Sequence, residues 1–162
     1  MRAAVALQPL GGPDWRAIGM GVYSGAEVGT FVEKANKNGC GLPIKIEVTG
    51  GGIDWYHSDG REVSVVNAKI LTTNLESGTS YLQTSTYHRT VTARADGTYL
   101  VVIDGSRWMS FAQGEAGPYG TVGRGSAQYI VNGLQRFVVN SKGYSLSYSV
   151  SGQVLDACAL LA

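Results

Sequence analysis

Charge is what this chain has least of. Only 15% of its 162 residues are Asp, Glu, Lys or Arg, against about a quarter in ordinary soluble domains. Thirteen cations and twelve anions leave a net charge of +1, and no basic cluster stands out. Phosphate attraction needs several Lys or Arg on one face, so no nucleic-acid partner is expected. No apolar run approaches the ~20 residues that span a bilayer, so no membrane insertion is expected either. The opening Met1–Leu7 hints at a signal peptide, but it is brief and Gln8, Pro9 and Gly11 interrupt it.

Reactive residues are equally sparse. The two histidines, His57 and His88, have no partner at metal-ligand spacing, so neither a metal nor another cofactor is expected. The two cysteines, Cys40 and Cys158, lie far apart and read as free buried thiols, with a bridge between them as the alternative. There is no G-x-S-x-G elbow, and Ser126 in GRGSA lacks the strand-to-helix setting of one. The Gly-rich stretch Gly114–Gly125 has no G-x-x-x-x-G-K-[ST] phosphate cradle. Glu47, Glu62, Glu76 and Asp156 sit at ordinary exposed strand or turn positions, and their spacing pairs no two across a cleft as a glycosidase requires. The chain reads as non-enzymatic.

What is present is apolar, small and hydroxylated. The apolar fraction of 44% supports a core, glycine occurs 23 times, and Tyr outnumbers Phe nine to three. Such a composition suits either a domain with many tight turns or one that buries its surface against other chains. The length fits an extended N-terminal arm over residues 1–23 and a single domain over 24–162.

One helix is expected, over Gly25–Lys37. Ser24 and Glu27 make a capping box, and Val28, Phe31, Val32 and Ala35 form one apolar stripe before the Asn38-Gly39 stop. Elsewhere the period is two. Ile44, Ile46 and Val48 alternate with Lys45 and Glu47 until Gly50-Gly51-Gly52. Val63–Thr72 slips phase at Val65-Val66, which predicts a bulge. Tyr81–Ala95 sets Tyr87, Arg89, Val91 and Ala93 on one face. The most apolar run, Tyr99–Ile103, lies between the turn signals Asp96-Gly97 and Asp104-Gly105, and its centre, Val101 and Ile103, should be core. Asn132-Gly133 predicts another hairpin between Ala127–Val131 and Leu134–Asn140, and Lys142-Gly143 a further turn before the alternating Tyr144–Val150. Short strands at regular spacing around one helix predict an all-β fold: an antiparallel β-sandwich of jelly-roll type, or a partly open barrel.

Two kinds of site follow. Asp54, Trp55, Tyr56 and His57, with Arg107 and Trp108, combine aromatic faces with polar edges and are candidates for stacking on a sugar ring. Leu7, Leu10 and Trp15 in the arm and Val154, Leu155, Leu160 and Leu161 in the tail are apolar where a monomer gains nothing by showing them, so they are candidate interface residues. The low charge, the many turns and Ser/Thr/Tyr alternation such as SGTSYLQTSTYHRTVTARADGTYLVVID make the chain similar to the β-rich virion modules of tailed bacteriophages: fibre tips, receptor-binding heads and capsid-decoration or fibre-attachment proteins. That resemblance implies a virion location, a structural or attachment role, and assembly with copies of itself and other virion proteins. It also allows a host surface glycan as ligand. A lectin-like carbohydrate-binding module and a small secreted enzyme are the alternatives.

Overall fold

The computed structural model describes residues 29–35, 39–57 and 59–162, apart from the Tyr56 side chain. The candidate arm residues Leu7, Leu10 and Trp15 lie outside it. Among the described residues nine strands follow one another: β1 Gly29–Glu33, β2 Ile44–Tyr56, β3 Glu62–Asn74, β4 Ser80–Ala93, β5 Tyr99–Ala112, β6 Ala116–Gly117, β7 Gly120–Thr121, β8 Ser126–Val139 and β9 Ser145–Asp156. The fold is all-β. Seven strands form one antiparallel sheet in the order β1-β2-β3-β4-β5-β8-β9, and β6 and β7 pair separately. Apart from the step over β6 and β7, sheet neighbours are sequence neighbours, so the sheet is an up-and-down meander.

Among the described residues there is no helix. Gly29–Glu33, inside the expected helix, is strand β1, with Phe31 opposite Ile46 and Val32 opposite Lys45. Thr30, Phe31 and Val32 are β-branched or aromatic and suit a pleated surface. Pairing with β2 satisfies a stretch whose apolar positions also fit a helical stripe. The bulge expected at Val65-Val66 is absent too, because β3 runs in unbroken register against both neighbours. The irregularity falls instead between Val138 and Val139, where β8 meets β9.

The alternation is as expected where the strands are regular. Glu62, Ser64, Val66, Ala68, Ile70, Thr72 and Asn74 are buried along one face of β3, with the residues between them more open. Ile44, Ile46 and Val48 lie on the same inner face of β2, and Tyr87, Arg89 and Val91 on that of β4. Val101 and Ile103 are fully buried in β5. The Asp96-Gly97 turn closes the β4–β5 hairpin, with Gly97 N–H donating to Arg94 O and Thr98 N–H to the Asp96 carboxylate.

Three glycine-containing turn signals are not turns. Asp104-Gly105 lies inside β5, Asn132-Gly133 inside β8, and Gly50-Gly51-Gly52 inside β2. Gly105 faces Gly133, which faces Gly152, and on its other side Gly105 faces Tyr87 of β4. A glycine row therefore crosses three strands at one level. At φ +128° a side chain on Gly105 would place Cβ 2.2 Å from Thr86 O, so only glycine allows this approach. The sheet bends at the row. Phe111 and Tyr148 sit opposite β8 residues 127 and 137, positions about 33 Å apart in a straight strand. Their rings nevertheless meet edge to face at 5.1 Å. The sheet also divides there: β4 pairs with β5 only as far as Tyr87 and Gly105, while β5 continues beside β8 to Ala112.

The interior between the bent halves is closed at one end by the C-terminal turn. Ala157 and Leu161 are fully buried, Ala157 N–H donates to Gln128 O, and the Asn74 side chain donates to Leu161 O. Cys40 and Cys158 are joined in a disulfide across 118 residues, which corrects the free-thiol reading. The sheet brings the approach to β2 next to the exit from β9, a juxtaposition that sequence distance conceals. Closing so long a loop removes much unfolded-chain entropy. The Cys40→Ser/Cys158→Ser variant should lose about 2–5 kcal/mol, read as a lower urea midpoint. An equal midpoint would show that the clip constrains nothing.

Candidate interaction site: sheet edges and an internal polar cluster

The expected sugar platform is taken apart by the pleat. Asp54 pairs with Ser64 on the inner face, and both its carboxylate oxygens are covered, without a hydrogen-bond partner. Trp55, the next residue, points to the outer face and is 46% exposed. Its row across the sheet is Val63, Thr90, Val102 and Arg136. His57 follows the end of β2 and is exposed, its N–H bonded to Arg61 O. Asp54 and Trp55 therefore do not form one site. Arg107 and Trp108 are buried on the far side of the glycine row, where Trp108 Nε1 donates to Gln128 Oε1 at 2.8 Å. Neither presents a face to an external ring.

The tail residues proposed as an interface belong to the domain itself. Leu161 is completely buried, and Val154, Leu155 and Leu160 pack half-buried against the same core. The loop after β5 is also tied down. Glu115 accepts from Ala112 N–H and from Ser145 N–H, both at 2.6 Å, so it bridges β5 to the start of β9. The Ser145 hydroxyl adds a bond to Ala116 O.

The unexpected feature is a polar interior. Arg89 is fully buried on β4 and pairs with Glu62 on β3, while its Nη2 also donates to Ser64 Oγ at 2.8 Å. A second group lies near the glycine row. The Arg107 guanidinium stands 5.1 Å over the Tyr87 ring, and the Tyr148 hydroxyl donates to Gln135 Oε1 at 2.7 Å. Burial raises the Tyr148 pKa well above the usual phenol range, and the nearby Arg107 charge offsets this only in part. Tyr148 therefore remains a neutral donor. These contacts cross-link strands through a low-dielectric interior. The sign that was legible in advance is Arg89 itself, which keeps step with the buried Tyr87 and Val91 and so had to be buried too.

What remains open to a partner is backbone. Among the described residues β1 and β9 each have one neighbouring strand in the main sheet, and part of the β9 edge is taken, with Glu115 accepting Ser145 N–H and Tyr119 donating to Val154 O. Phe31 and Val32 on β1 are exposed, as are Tyr144 and Leu146 at the start of β9. Tyr119, at the β6–β7 turn, is exposed and donates its hydroxyl to Val154 O of β9 at 3.4 Å. Among the described residues no group of three or more His, Cys, Asp or Glu could hold a metal, and no helix is long and apolar enough to cross a membrane.

No protein-family model, characterised protein or solved structure matches the chain.

Proposed function

We propose that the chain is a non-enzymatic structural or attachment subunit that works as a homo-oligomer, of the kind found in tailed-bacteriophage particles. The observation that carries this reading is the β9 edge: among the described residues it is a twelve-residue strand with one neighbour in the main sheet, met on its outer side by Tyr119 at Val154 O, and with little charge to keep other chains away. Low overall charge agrees with it, since a charge-poor surface associates readily. The Cys40–Cys158 disulfide agrees with an oxidising setting such as a released particle. On this reading the bent meander is a partly open barrel rather than a jelly roll, because its strand order contains no Greek-key crossover.

The test is the mass of the purified chain by light scattering over a range of concentrations. A defined oligomer is expected, and a monomer of 17.1 kDa at every concentration would overturn the reading. The half-exposed Trp55 favours a second reading, glycan binding on the outer face. A glycan array signal lost in Trp55→Ala would put that activity in its place.

A further inference from the structure

We propose that the interior holds a binding site for a small carboxylate anion, anchored by the guanidinium of Arg107 and completed by the side-chain amide of Gln135.

Among the described residues two arginines are fully buried, and only one is matched. Arg89 pairs with Glu62. Arg107 is 1% exposed, yet among the described residues it forms no ion pair with a carboxylate. Its Nε donates to Trp108 O at 3.3 Å, and its Cζ stands 5.1 Å from the centre of the Tyr87 ring. Neither contact supplies a negative charge. Its Nη1 is covered and has no hydrogen-bond partner. Arginine keeps its charge in proteins, so burial is not relieved by loss of a proton. A buried charge is costly unless it is both paired and hydrogen-bonded. An anion at Nη1 removes that cost.

The second donor comes from β8. The part of β5 beyond Gly105 folds back over the inner face, which sets Arg107 over Tyr87 of β4 and Phe111 against Tyr148 of β9. Tyr148 is near enough to feel the Arg107 charge, and its hydroxyl donates to Gln135 Oε1 at 2.7 Å. That bond holds the Gln135 amide and leaves its Nε2 as a donor. Gln135 is completely buried, and Nε2 has no partner. Tyr148 thus links two residues with unused donors, one of them charged. Beyond Tyr87, β4 and β5 no longer pair, and Gln83 on that stretch of β4 is buried with neither amide atom bonded.

Donors beside an unmatched cation select an anionic acceptor. A carboxylate fits better than a halide, because its two oxygens can accept from Arg107 Nη1 and Gln135 Nε2 separately. A polyanion does not fit, since one cation would leave its further charges buried and unmatched.

Sodium formate is the probe, with sodium chloride beside it. Each is titrated from low salt against the wild type, Arg107→Met and Gln135→Glu, with the thermal unfolding midpoint as readout. General salt effects act on all three proteins, so the specific part is the difference between them. Formate should raise the wild-type midpoint along a saturating curve, because a ligand of the native state stabilises it. Gln135→Glu supplies a carboxylate of the protein's own beside Arg107. It should fold, unfold at a higher midpoint than the wild type in low salt, and lose the saturating response. Arg107→Met should lose the response as well; if it misfolds, Gln135→Glu carries the test. Equal formate responses in the wild type and Gln135→Glu overturn the proposal, as does a wild type with no saturating response. Misfolding of Gln135→Glu overturns the placement of Gln135 beside the anion. A saturating response to chloride without one to formate overturns the carboxylate.

Discussion

Gly105→Ala should be among the most damaging single substitutions in this chain. At φ +128° an alanine is strained, and its Cβ would stand 2.2 Å from Thr86 O and 2.7 Å from Tyr87 Cα. Both atoms belong to backbone, so no rotamer change relieves the overlap. Strain of about 1–3 kcal/mol and overpacking of a similar size give a loss of roughly 4 kcal/mol. Gly78→Ala is the control. It also has positive φ, +76°, but nothing lies near its Cβ, so it should lose only the strain of about 1–3 kcal/mol. Urea unfolding of the two variants checks the difference. Equal losses would mean that the glycine row is needed for its dihedral angle alone and not for close approach of the strands.

The second large effect is expected at the buried ion pair. Arg89→Leu leaves Glu62, 6% exposed, with its main counter-charge gone. Removing one partner of a buried pair typically costs about 3–5 kcal/mol, whereas replacing both by apolar groups is often close to neutral. Arg89→Leu/Glu62→Leu should therefore be more stable than Arg89→Leu alone. A double variant that loses the sum of the two single losses would show that the pair is not coupled. Arg89 would then act through its packing against β3 and its bond to Ser64.

The two tests probe different levels of the same design. The glycines let the sheet bend, and the bend creates the interior that Arg89, Glu62, Arg107 and Tyr148 occupy. Polar residues at inward positions of a flat sheet would face water. Here the second half of β5, with β8 and β9, folds across them, and Arg89 pairs with Glu62 as Tyr148 does with Gln135.

The all-β class was legible from the sequence because side-chain alternation is a local property. Ile44, Ile46 and Val48, the Tyr87–Arg89–Val91 face and the burial of Val101 and Ile103 follow from a period of two whatever the strand pairs with. The Asp96-Gly97 hairpin was legible for the same reason. Its hydrogen bonds close within a few residues. The same alternation, applied to Asp54 and Trp55, already places them on opposite faces of β2.

Other features depended on partners distant in the chain. A glycine at positive φ serves a tight turn or a close approach between strands equally well, so Asp104-Gly105 and Asn132-Gly133 read as turns until their alignment with Gly152 is known. Gly29–Glu33 fits a helical stripe or a strand, and the choice was made by the free edge of β2. Cys40 and Cys158, like Glu62 and Arg89, meet only because the meander returns one strand beside another. Local periodicity determined which residues face inward. Only the tertiary structure decided what they face, because pairing across the bent sheet depends on register between strands far apart in sequence.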